Sequence, residues 1–478
     1  MLPEFKKNKY CSVYDKNEIN PMYQFYYRPS AIPVIASAIL VLFLLSNYSI
    51  CSRYSFAHDA YATNIRTPSN PTGPSFTDPN LRAHLVVQGL SYPTSMAFIN
   101  NNNNKDILVL QKNNGEVRLV SNGLLKGQPV LKVDINNSTR ICCRGLLGIA
   151  TKINNSNTEV FLYLSEAAKD DQPVRNRVYK YQWDGEALIN PKLILDLPAE
   201  GLNHPGGKLA IGPDHYLYAV IGDLNRQGKL QNFKDGPEPD DTSVILRVNP
   251  DNGYPAKNNP FLAEKNDNNS AMSRYFAYGI RNSFGLAFDP VSGTLWDAEN
   301  GDKDYDEINV VTPGFNSGWK KVMGPISRSS IMESQLFNFP GSRYVDPVFS
   351  WFKSIGITDI AFLNSSKLGD KYKNNIFVGD ITRGNLYFFE VNENRTGLRF
   401  DDNSGNSQQL SSSSSFGLLD KVADNKNEVA AVTLATGFRG ITDIKTGPDG
   451  LLYILTFDEK SHGEGKIYRI SAASGNDS

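Results

Sequence analysis

The hydrophobic and polar positions of this chain repeat one pattern six times. In each copy, a short apolar strand leads through a turn to a strand with Leu-Tyr or a similar pair, then to Gly or Asp, and then to another strand. The copies occupy residues 93–120, 144–186, 206–253, 278–319, 357–391 and 441–470. Short strands separated by turn signals are typical of propeller blades, which bury their faces against neighbouring blades. The pattern predicts an all-β, six-bladed propeller; a two-sheet sandwich is the alternative, but it does not explain the periodic Leu-Tyr strands.

Composition agrees with a turn-rich β protein. The 478 residues include 38 Gly, 26 Pro, 23 Tyr and 25 Phe, which favour turns and strands over a helix bundle. The 49 basic residues balance the 50 acidic ones, so nothing indicates a nucleic-acid partner. The four cysteines lack zinc-site spacing. Cys142 and Cys143 are either a strained vicinal disulfide or two separate thiols.

An apolar segment near the N-terminus predicts membrane attachment. Residues 31–50 supply about the 20 residues that a spanning helix needs. A cleaved signal peptide is the alternative, because the densest apolar run covers only residues 31–45. Five basic residues precede the segment, against two soon after it, which favours a cytoplasmic N-terminus.

These features predict the domain limits and the compartment. We expect a cytoplasmic tail at residues 1–30, an anchor or signal segment at 31–50, a Pro-rich linker at 51–80 and the propeller at 81–474. The propeller is then extracytoplasmic, membrane-anchored, or secreted if the segment is cleaved. Glycosylation motifs agree with this side of the membrane; they begin at Asn136, Asn154, Asn268, Asn364 and Asn394.

Candidate chemistry begins with His204, which precedes the inner strand of the third copy. In a propeller this position opens onto the central channel, where an imidazole can accept a proton near neutral pH. A hydrogen-bonding surface histidine is the alternative. Arg281 and Asn282 occupy the equivalent point of the fourth copy, where an Arg fork suits carboxylate or quinone oxygens. Arg281 could instead pair with a carboxylate of a neighbouring blade.

The fourth copy also carries an oxygen-rich loop with a glycine. Its carboxylates are Glu299, Asp302, Asp304, Asp306 and Glu307. Calcium takes six to eight oxygen ligands and accepts backbone carbonyls, so the loop is a candidate calcium site. It lacks the spacing of an EF-hand, and solvated carboxylates are the alternative.

Several segments resemble one family closely. GGKLAIGPDHYLYAVIGD, ILRVNPDNGYPAKNNPF, GIRNSFGLAFDP, DEINVVTPGFNSGW and TGPDGLLYILT are similar, in order, to the soluble glucose and aldose sugar dehydrogenases that use pyrroloquinoline quinone, the glucose/sorbosone dehydrogenase family. The resemblance covers about residues 85–470. It implies a six-bladed propeller with calcium and the quinone at the channel mouth.

The resemblance also implies residue roles. His204 matches the base that removes the proton of the sugar hydroxyl while hydride passes to the quinone. Arg281 and Asn282 match cofactor contacts, and we also expect Trp319 to contact the cofactor. Gly301 and Asp302 match the positions whose carbonyls hold calcium, although the family commonly has Pro at the second.

The last two blades depart from the family pattern. Thr382 stands at a lysine position, and Gly440 and Thr442 replace two arginines that neutralise the cofactor's carboxylates. Arg383 and Arg439 lie one residue away and are the candidates to replace them as cofactor contacts. A slip of one residue in a strand turns the side chain to the other face, so the departures weaken the cofactor prediction more than the fold prediction.

The sequence therefore predicts a quinoprotein dehydrogenase that oxidises an aldose or related sugar hydroxyl. Its partners would be a sugar, an external electron acceptor and the membrane, and its cofactors pyrroloquinoline quinone and calcium. The alternative is a non-catalytic extracellular propeller that binds glycans or a protein partner, which the lost Lys and Arg positions favour.

Overall fold

The computed structural model describes residues 73–101, 104–136, 143–154, 157–168, 174–201, 203–262, 271–400 and 417–473. All of them belong to a compact unit of residues 70–478. The predicted tail and anchor, most of the linker, and Cys142 lie outside these residues. Within them, no helix has both the length and the apolar character needed to cross a membrane.

The described strands form six sheets, numbered here in chain order of their inner strands. Sheet 1 contains Pro93–Asn101, Asn104–Gln111, Glu116–Ser121, Leu124–Leu125 and Leu131–Lys132. Sheet 2 contains Leu146–Asn154, Asn157–Glu166, Arg175–Trp183 and Leu188–Leu197. Sheet 3 contains Leu209–Ile211, Leu217–Ile221, Val244–Val248, Tyr275–Tyr278, Phe315–Asn316 and Arg343–Tyr344.

The second half of the chain builds the remaining three sheets. Sheet 4 contains Ser283–Phe288, Leu295–Glu299, Asp304–Val311, Phe349–Lys353 and Val422–Ala423. Sheet 5 contains Ile357–Phe362, Ile376–Asp380, Leu386–Phe389, Thr433–Thr436 and Ser75–Phe76. Sheet 6 contains Ile441–Thr446, Leu452–Asp458, Glu464–Ala472 and Leu81–Ser91.

Helical structure among the described residues is limited to short connections. The α-helix is Lys426–Val432, and Asn425 caps it by accepting hydrogen bonds from the backbone amides of Asn427 and Glu428. The 3-10 turns are Lys229–Gln231, Ala271–Arg274, Ile326–Arg328, Glu333–Gln335, Asp370–Tyr372, Gly417–Asp420 and Glu459–Ser461. The predominance of strands follows from the period-two apolar segments of the sequence.

The six inner strands form a closed ring. Each contacts the inner strand of the next sheet, and Ile441–Thr446 of sheet 6 returns to contact Pro93–Asn101 of sheet 1. The ring is closed in sheet 6, where the N-terminal strand Leu81–Ser91 pairs with the C-terminal strand Glu464–Ala472. The prediction of an all-β propeller is confirmed.

Large apolar side chains fill the spaces between sheets. Trp296 and Trp351 are fully buried in a cluster that joins sheets 4 and 5, and Tyr163 lies in the cluster that joins sheets 2 and 3. Burial of each aromatic side chain removes roughly 150–250 Å² from water, which is the main source of stability for such a ring.

The domain begins earlier than the sequence indicated. The linker prediction ended at residue 80, but Ser75–Phe76 forms an antiparallel edge of sheet 5, with Ser75 opposite Thr436 and Phe76 opposite Ala435. Phe76 also packs edge-on against Phe438, with ring centroids 6.3 Å apart. The proline and glycine residues around this segment indicated a linker, and a strand of only two residues gives no pattern that would contradict it.

Candidate active site

One end of the ring gathers the residues that the sequence singled out. Each inner strand starts where the second strand of its sheet ends: Ser283 pairs with Glu299, Ile357 with Asp380, and Ile441 with Thr456. The predicted residues either precede an inner strand or follow a second strand. They therefore share one end of the ring, which we call the upper mouth; the residues are His204, Arg281, Asn282, Gly301, Asp302, Arg383 and Arg439.

His204 is held by a carboxylate that the sequence analysis missed. Its Nδ1 lies 2.6 Å from Oδ1 of Asp223, two residues after the end of the strand Leu217–Ile221. The other oxygen of Asp223 accepts a hydrogen bond from Nε1 of Trp319 at 2.8 Å. Asp223 is buried, whereas the His204 side chain keeps 12% of its surface exposed. The imidazole therefore has one nitrogen fixed and one left for chemistry.

The protonation state of Asp223 suits an acceptor of a hydrogen bond from His204. Burial acts to raise its pKa, but the hydrogen bond and charge of His204 act against it, together with hydrogen bonds from the Asn225 amide and Trp319. The balance leaves the pKa of Asp223 below its ordinary value. An ionised Asp223 accepts a hydrogen bond from the Nδ1–H group of His204. It therefore selects the His204 tautomer in which Nε2 carries the free lone pair.

Arg281 lies beside this line of residues. Its Nη1 donates to the carbonyl of Asn300 at 3.1 Å and its Nη2 approaches Oδ1 of Asp302 at 3.4 Å. Its guanidinium carbon lies 5.4 Å from the centroid of the Trp319 ring, within the range of a cation–π contact. The Nε atom is buried and has no hydrogen-bond partner among the described atoms. The alternative was that Arg281 pairs with a carboxylate of a neighbouring blade; the carboxylate that it approaches is instead Asp302, in the loop of its own sheet.

Asn282 connects the two candidate segments. Its Oδ1 accepts a hydrogen bond from the Gly206 amide at 3.2 Å, two residues beyond His204. The backbones of the two segments approach each other closely around Gly222, where an added Cβ would overlap the carbonyl oxygens of His204 and Arg281. Only glycine leaves space for both segments to meet there.

The oxygen-rich loop divides into buried and exposed acids. Asp306 is fully buried and accepts hydrogen bonds from the amides of Gly301 at 2.9 Å, Ile355 at 2.7 Å and Gly356 at 2.7 Å. It therefore shapes the loop. Asp302, by contrast, has 65% of its side chain exposed. No group of three or more His, Cys, Asp or Glu side chains in the described part of the chain has the arrangement of a metal site.

Gly301 is confined by its own loop. A Cβ at this position would overlap the carbonyl oxygens of Asp304 and Tyr305. The loop thus packs backbone oxygens tightly around Gly301, and any cation held here would rely on carbonyls more than on the carboxylates. Whether calcium binds to Gly301 and Asp302 stays a prediction.

Three acids of sheet 4 form a second buried group. Asp297, Glu299 and Glu307 lie on adjacent strands, where Glu299 is directly opposite Glu307. Burial raises the pKa of Asp297 to about 7, that of Glu307 to about 8, and that of Glu299 well above its ordinary value. Glu299 accepts hydrogen bonds from the Arg281 amide at 2.6 Å and from Ser317 Oγ at 2.7 Å. It therefore links the segment of Arg281 to the segment of Ser317.

Comparison with known proteins identifies the family. The sequence profile of the glucose/sorbosone dehydrogenases matches residues 90–469. This chain belongs to that family.

Relatives within the glucose/sorbosone dehydrogenase family include enzymes. Aldose sugar dehydrogenase YliI of Escherichia coli is 28% identical over 269 residues, which cover 56% of this chain and 60% of the relative. Quinoprotein glucose dehydrogenase B of Acinetobacter calcoaceticus is 32% identical over 203 residues, covering 38% and 40%. The structure of the PQQ-bound aldose sugar dehydrogenase of Streptomyces coelicolor covers 84% of this chain and all of its own, with a TM-score of 0.57 and 21% identity. That structure supports the fold.

The positions where this chain departs from the family pattern leave two arginines at the surface. Arg439 has 64% of its side chain exposed, and its Nε lies 3.7 Å from Oδ2 of Asp458. Arg383 is also exposed, and its backbone amide donates to Asp380 at 2.5 Å. The role of Arg383 and Arg439 as cofactor contacts stays a prediction.

A buried ion-pair network crosses the channel below the upper mouth. The Nζ of Lys208, just before sheet 3, lies 2.7 Å from Asp359 of sheet 5 and 2.9 Å from Asp443 of sheet 6. Lys445 adds contacts at 2.6 Å to Asp443 and 3.3 Å to Asp359. Beyond it lies a cavity of about 510 Å³, lined by the far halves of all six inner strands. The network therefore lies between this cavity and the upper mouth.

Sequence reasoning missed Asp223 and this network for the same reason. Both depend on contacts between segments that lie apart in the sequence: Trp319 and Asp223 are 96 residues apart, and Lys208 and Asp443 are 235 apart. A signal was present, because an acid follows or ends the second strand in five sheets, at Glu166, Asp223, Glu299, Asp380 and Asp458. The recurrence of an acid at this register marks the upper mouth.

Proposed function

We propose that this six-bladed propeller is a pyrroloquinoline quinone-dependent dehydrogenase that oxidises an aldose or related sugar hydroxyl. The observation that carries the proposal is the line of His204, Asp223 and Trp319, with Arg281 stacked on the indole. Membership in the glucose/sorbosone dehydrogenase family supports it. The acceptor that reoxidises the enzyme would be an external one.

His204 is the base in this scheme. Its Nδ1 proton is shared with ionised Asp223, so Nε2 accepts the proton of the sugar hydroxyl. Asp223 stabilises the imidazolium that results, because the two charges lie within hydrogen-bond distance. Trp319 occupies the second oxygen of Asp223 and thereby prevents the carboxylate from rotating away from His204.

The upper mouth offers groups that fit a planar anionic cofactor. The orphaned Nε of Arg281 is a buried donor aimed at no described atom, which suits an oxygen of a bound quinone or carboxylate. Asn282 and Trp319 would complete the contacts on this side, with Arg383 and Arg439 on the other. Pyrroloquinoline quinone supplies a hydride acceptor, which calcium at the carbonyls of Gly301 and Asp302 would polarise.

A second candidate function is a non-catalytic propeller that binds a glycan or a protein. The observation that favours it is the loss of positive charge at Thr382 and Gly440, combined with the exposure of the Arg439 side chain. Burying cofactor carboxylates without cationic partners is costly. Under this candidate, the upper mouth would bind a ligand without redox chemistry.

The compartment is part of the same proposal. We place the propeller on the extracytoplasmic side of a membrane, attached through residues 31–50 or secreted if that segment is cleaved. The apolar segment and the glycosylation motifs support this placement.

Reconstitution of the full-length protein tests the proposal. The protein would be incubated with pyrroloquinoline quinone and CaCl2, and dye-linked oxidation of a panel of aldoses would be followed by dye bleaching. Cofactor uptake would be measured separately by equilibrium dialysis. We expect calcium-dependent uptake and turnover, both absent when EDTA replaces CaCl2.

Two variants separate the candidates. His204→Gln should retain cofactor uptake and lose turnover, because only the base is removed. Arg383→Met with Arg439→Met should weaken uptake if these side chains reach the cofactor, whereas Arg399→Met, at an exposed site in sheet 5's loop, should not. Failure of the wild-type protein to take up cofactor, with retained binding of an oligosaccharide, would establish the second candidate.

A further inference from the structure

The loop that carries His204 has an unusual backbone. His204 itself has φ of 59°, in the left-handed region that costs a non-glycine residue roughly 1–2 kcal/mol. Gly201 and Gly206 also have positive φ, and a Cβ at either position would overlap a backbone carbonyl, of Leu224 and Val220 respectively. A loop of this kind keeps its shape only when surrounding groups hold it.

The surroundings hold the loop at both ends. At its far end, Gly206 donates to Asn282, and Lys208 reaches across the channel to Asp359. At its near end, the guanidinium of Arg144 donates from Nη2 to the carbonyls of Ala199 and Gly201, the latter at 2.8 Å. Arg144 lies two residues before the inner strand of sheet 2, so it ties the loop to a rigid neighbouring blade.

The chemistry of this contact suits arginine better than lysine. Arg144 is half-buried, and burial lowers its pKa, but a guanidinium remains charged at physiological pH. One nitrogen of the guanidinium, Nη2, donates to both carbonyl oxygens, and hydrogen bonds from a charged donor are stronger than neutral ones. A lysine at the same place keeps the positive charge, but its ammonium is carried on a more flexible chain and is more strongly hydrated, so it holds the two carbonyls less firmly.

We propose that Arg144 is a positioning residue for His204, acting by fixing the carbonyls of Ala199 and Gly201 three to five residues before the imidazole. It acts through backbone carbonyls rather than through the reacting groups. Its effect is to hold the backbone that aims His204 at Asp223. The catalytic part of this inference rests on the proposed function, whereas the anchoring part does not.

Hydrogen–deuterium exchange of the full-length protein tests the anchoring without any activity. The reporters are the backbone amides of Asn203, His204, Gly206 and Gly207, of which Gly206 and Gly207 are hydrogen-bonded to Asn282 and Val220. In Arg144→Met these amides should exchange about tenfold faster than in the wild type, and Arg144→Lys should lie between the two. The matched control is Arg175→Met, in the same sheet but paired with Asp196, which should leave the loop unchanged.

Unchanged exchange in Arg144→Met would overturn the proposal. Faster exchange throughout sheet 2, as well as in the loop, would also overturn it, because the effect would then be general loss of stability. The strand Asn157–Glu166 provides that comparison.

Kinetics then test the link to catalysis in the reconstituted enzyme. Arg144→Met should lower kcat by about tenfold and change KM for the sugar by less than about twofold, with partial recovery in Arg144→Lys. Wild-type kcat in a variant whose loop exchanges faster would overturn the positioning role. If the wild-type protein shows no turnover, the proposed function fails while the exchange measurement still decides the anchor.

Discussion

Oδ1 of Asp223 lies 2.6 Å from Nδ1 of His204, although the two residues belong to different segments of the upper mouth. The pair is a buried carboxylate joined to a partly exposed imidazole. Because the carboxylate is ionised and held on its other side by Trp319, the imidazole has a defined tautomer and a defined direction.

Replacing Asp223 by Asn should disable the base while preserving the shape of the site. The amide of Asn can donate to Nδ1 and favour the opposite tautomer, in which Nε2 already carries a proton. We expect kcat for sugar oxidation to fall by about 10²-fold or more, with cofactor uptake unchanged. Asp251→Asn, which alters an exposed ion pair with Lys180, is the control and should retain wild-type kcat. Equal activity of both variants would contradict a role for Asp223 in orienting His204.

Replacing Lys208 by Met should destabilise the whole ring. The change leaves Asp359 and Asp443 buried with Lys445 as their remaining cation. Loss of one partner from a buried ion pair costs about 3–5 kcal/mol, and urea unfolding would measure the change in the free energy of unfolding. Lys132→Met removes a long, exposed contact with Glu116 and should cost less than about 1 kcal/mol.

The same network offers an internal check. In the double variant Lys208→Met with Asp359→Asn, one buried charge is removed along with its partner. The loss should be smaller than the sum of the two single losses, because the residues interact directly. Additive losses would show that Lys208 and Asp359 are energetically independent.

Stability should fall as the pH rises from about 4 to about 8. Carboxyl groups in an unfolded chain titrate near pH 4. In the folded protein, burial raises the pKa of Asp380 to about 6, of Asp297 to about 7 and of Glu307 to about 8. Between these values the folded state binds more protons than the unfolded state, so the free energy of unfolding decreases with pH.

Urea unfolding at pH 5, 6, 7 and 8, with EDTA present, would measure this slope. Asp297→Asn should flatten it, because the variant has no proton to lose there, and should be more stable than the wild type at pH 8. Asn309 lies opposite residue 297, and its Oδ1 has no hydrogen-bond partner among the described atoms, so it can accept from the new amide. A wild-type stability that increases up to pH 8 would contradict this account.

Gly301 should be essential to the loop, whereas the Asp302 side chain should not. In Gly301→Ala, the added Cβ overlaps two carbonyl oxygens and forces the loop to move. If calcium binds through backbone carbonyls, this variant should lose about tenfold or more in calcium affinity, measured by titration calorimetry. Asp302→Asn keeps the carbonyl and should bind calcium within about threefold of the wild type. The reverse order of affinities would indicate a carboxylate ligand.

Local patterns determined the fold class. Alternating apolar positions, Leu-Tyr strands and turn residues are properties of short segments, so the six copies and their inner strands were readable along the chain. The same held for the glycine-containing loop near Gly301 and for the position of His204 before an inner strand. The two-residue strand Ser75–Phe76 escaped because its pairing partner, Thr433–Thr436, lies more than 350 residues away.

The tertiary structure decided how those segments act together. Trp319 meets Asp223 across 96 residues of sequence, and Lys208 meets Asp443 across 235. Of five acids that looked alike in the oxygen-rich loop, Asp306 became an acceptor of backbone amides, Glu299 and Glu307 were buried, and Asp302 and Asp304 stayed in solvent. Sequence defines which groups are available at each strand end. Burial and the approach of neighbouring blades determine which are ionised, paired or free, because both depend on the whole ring.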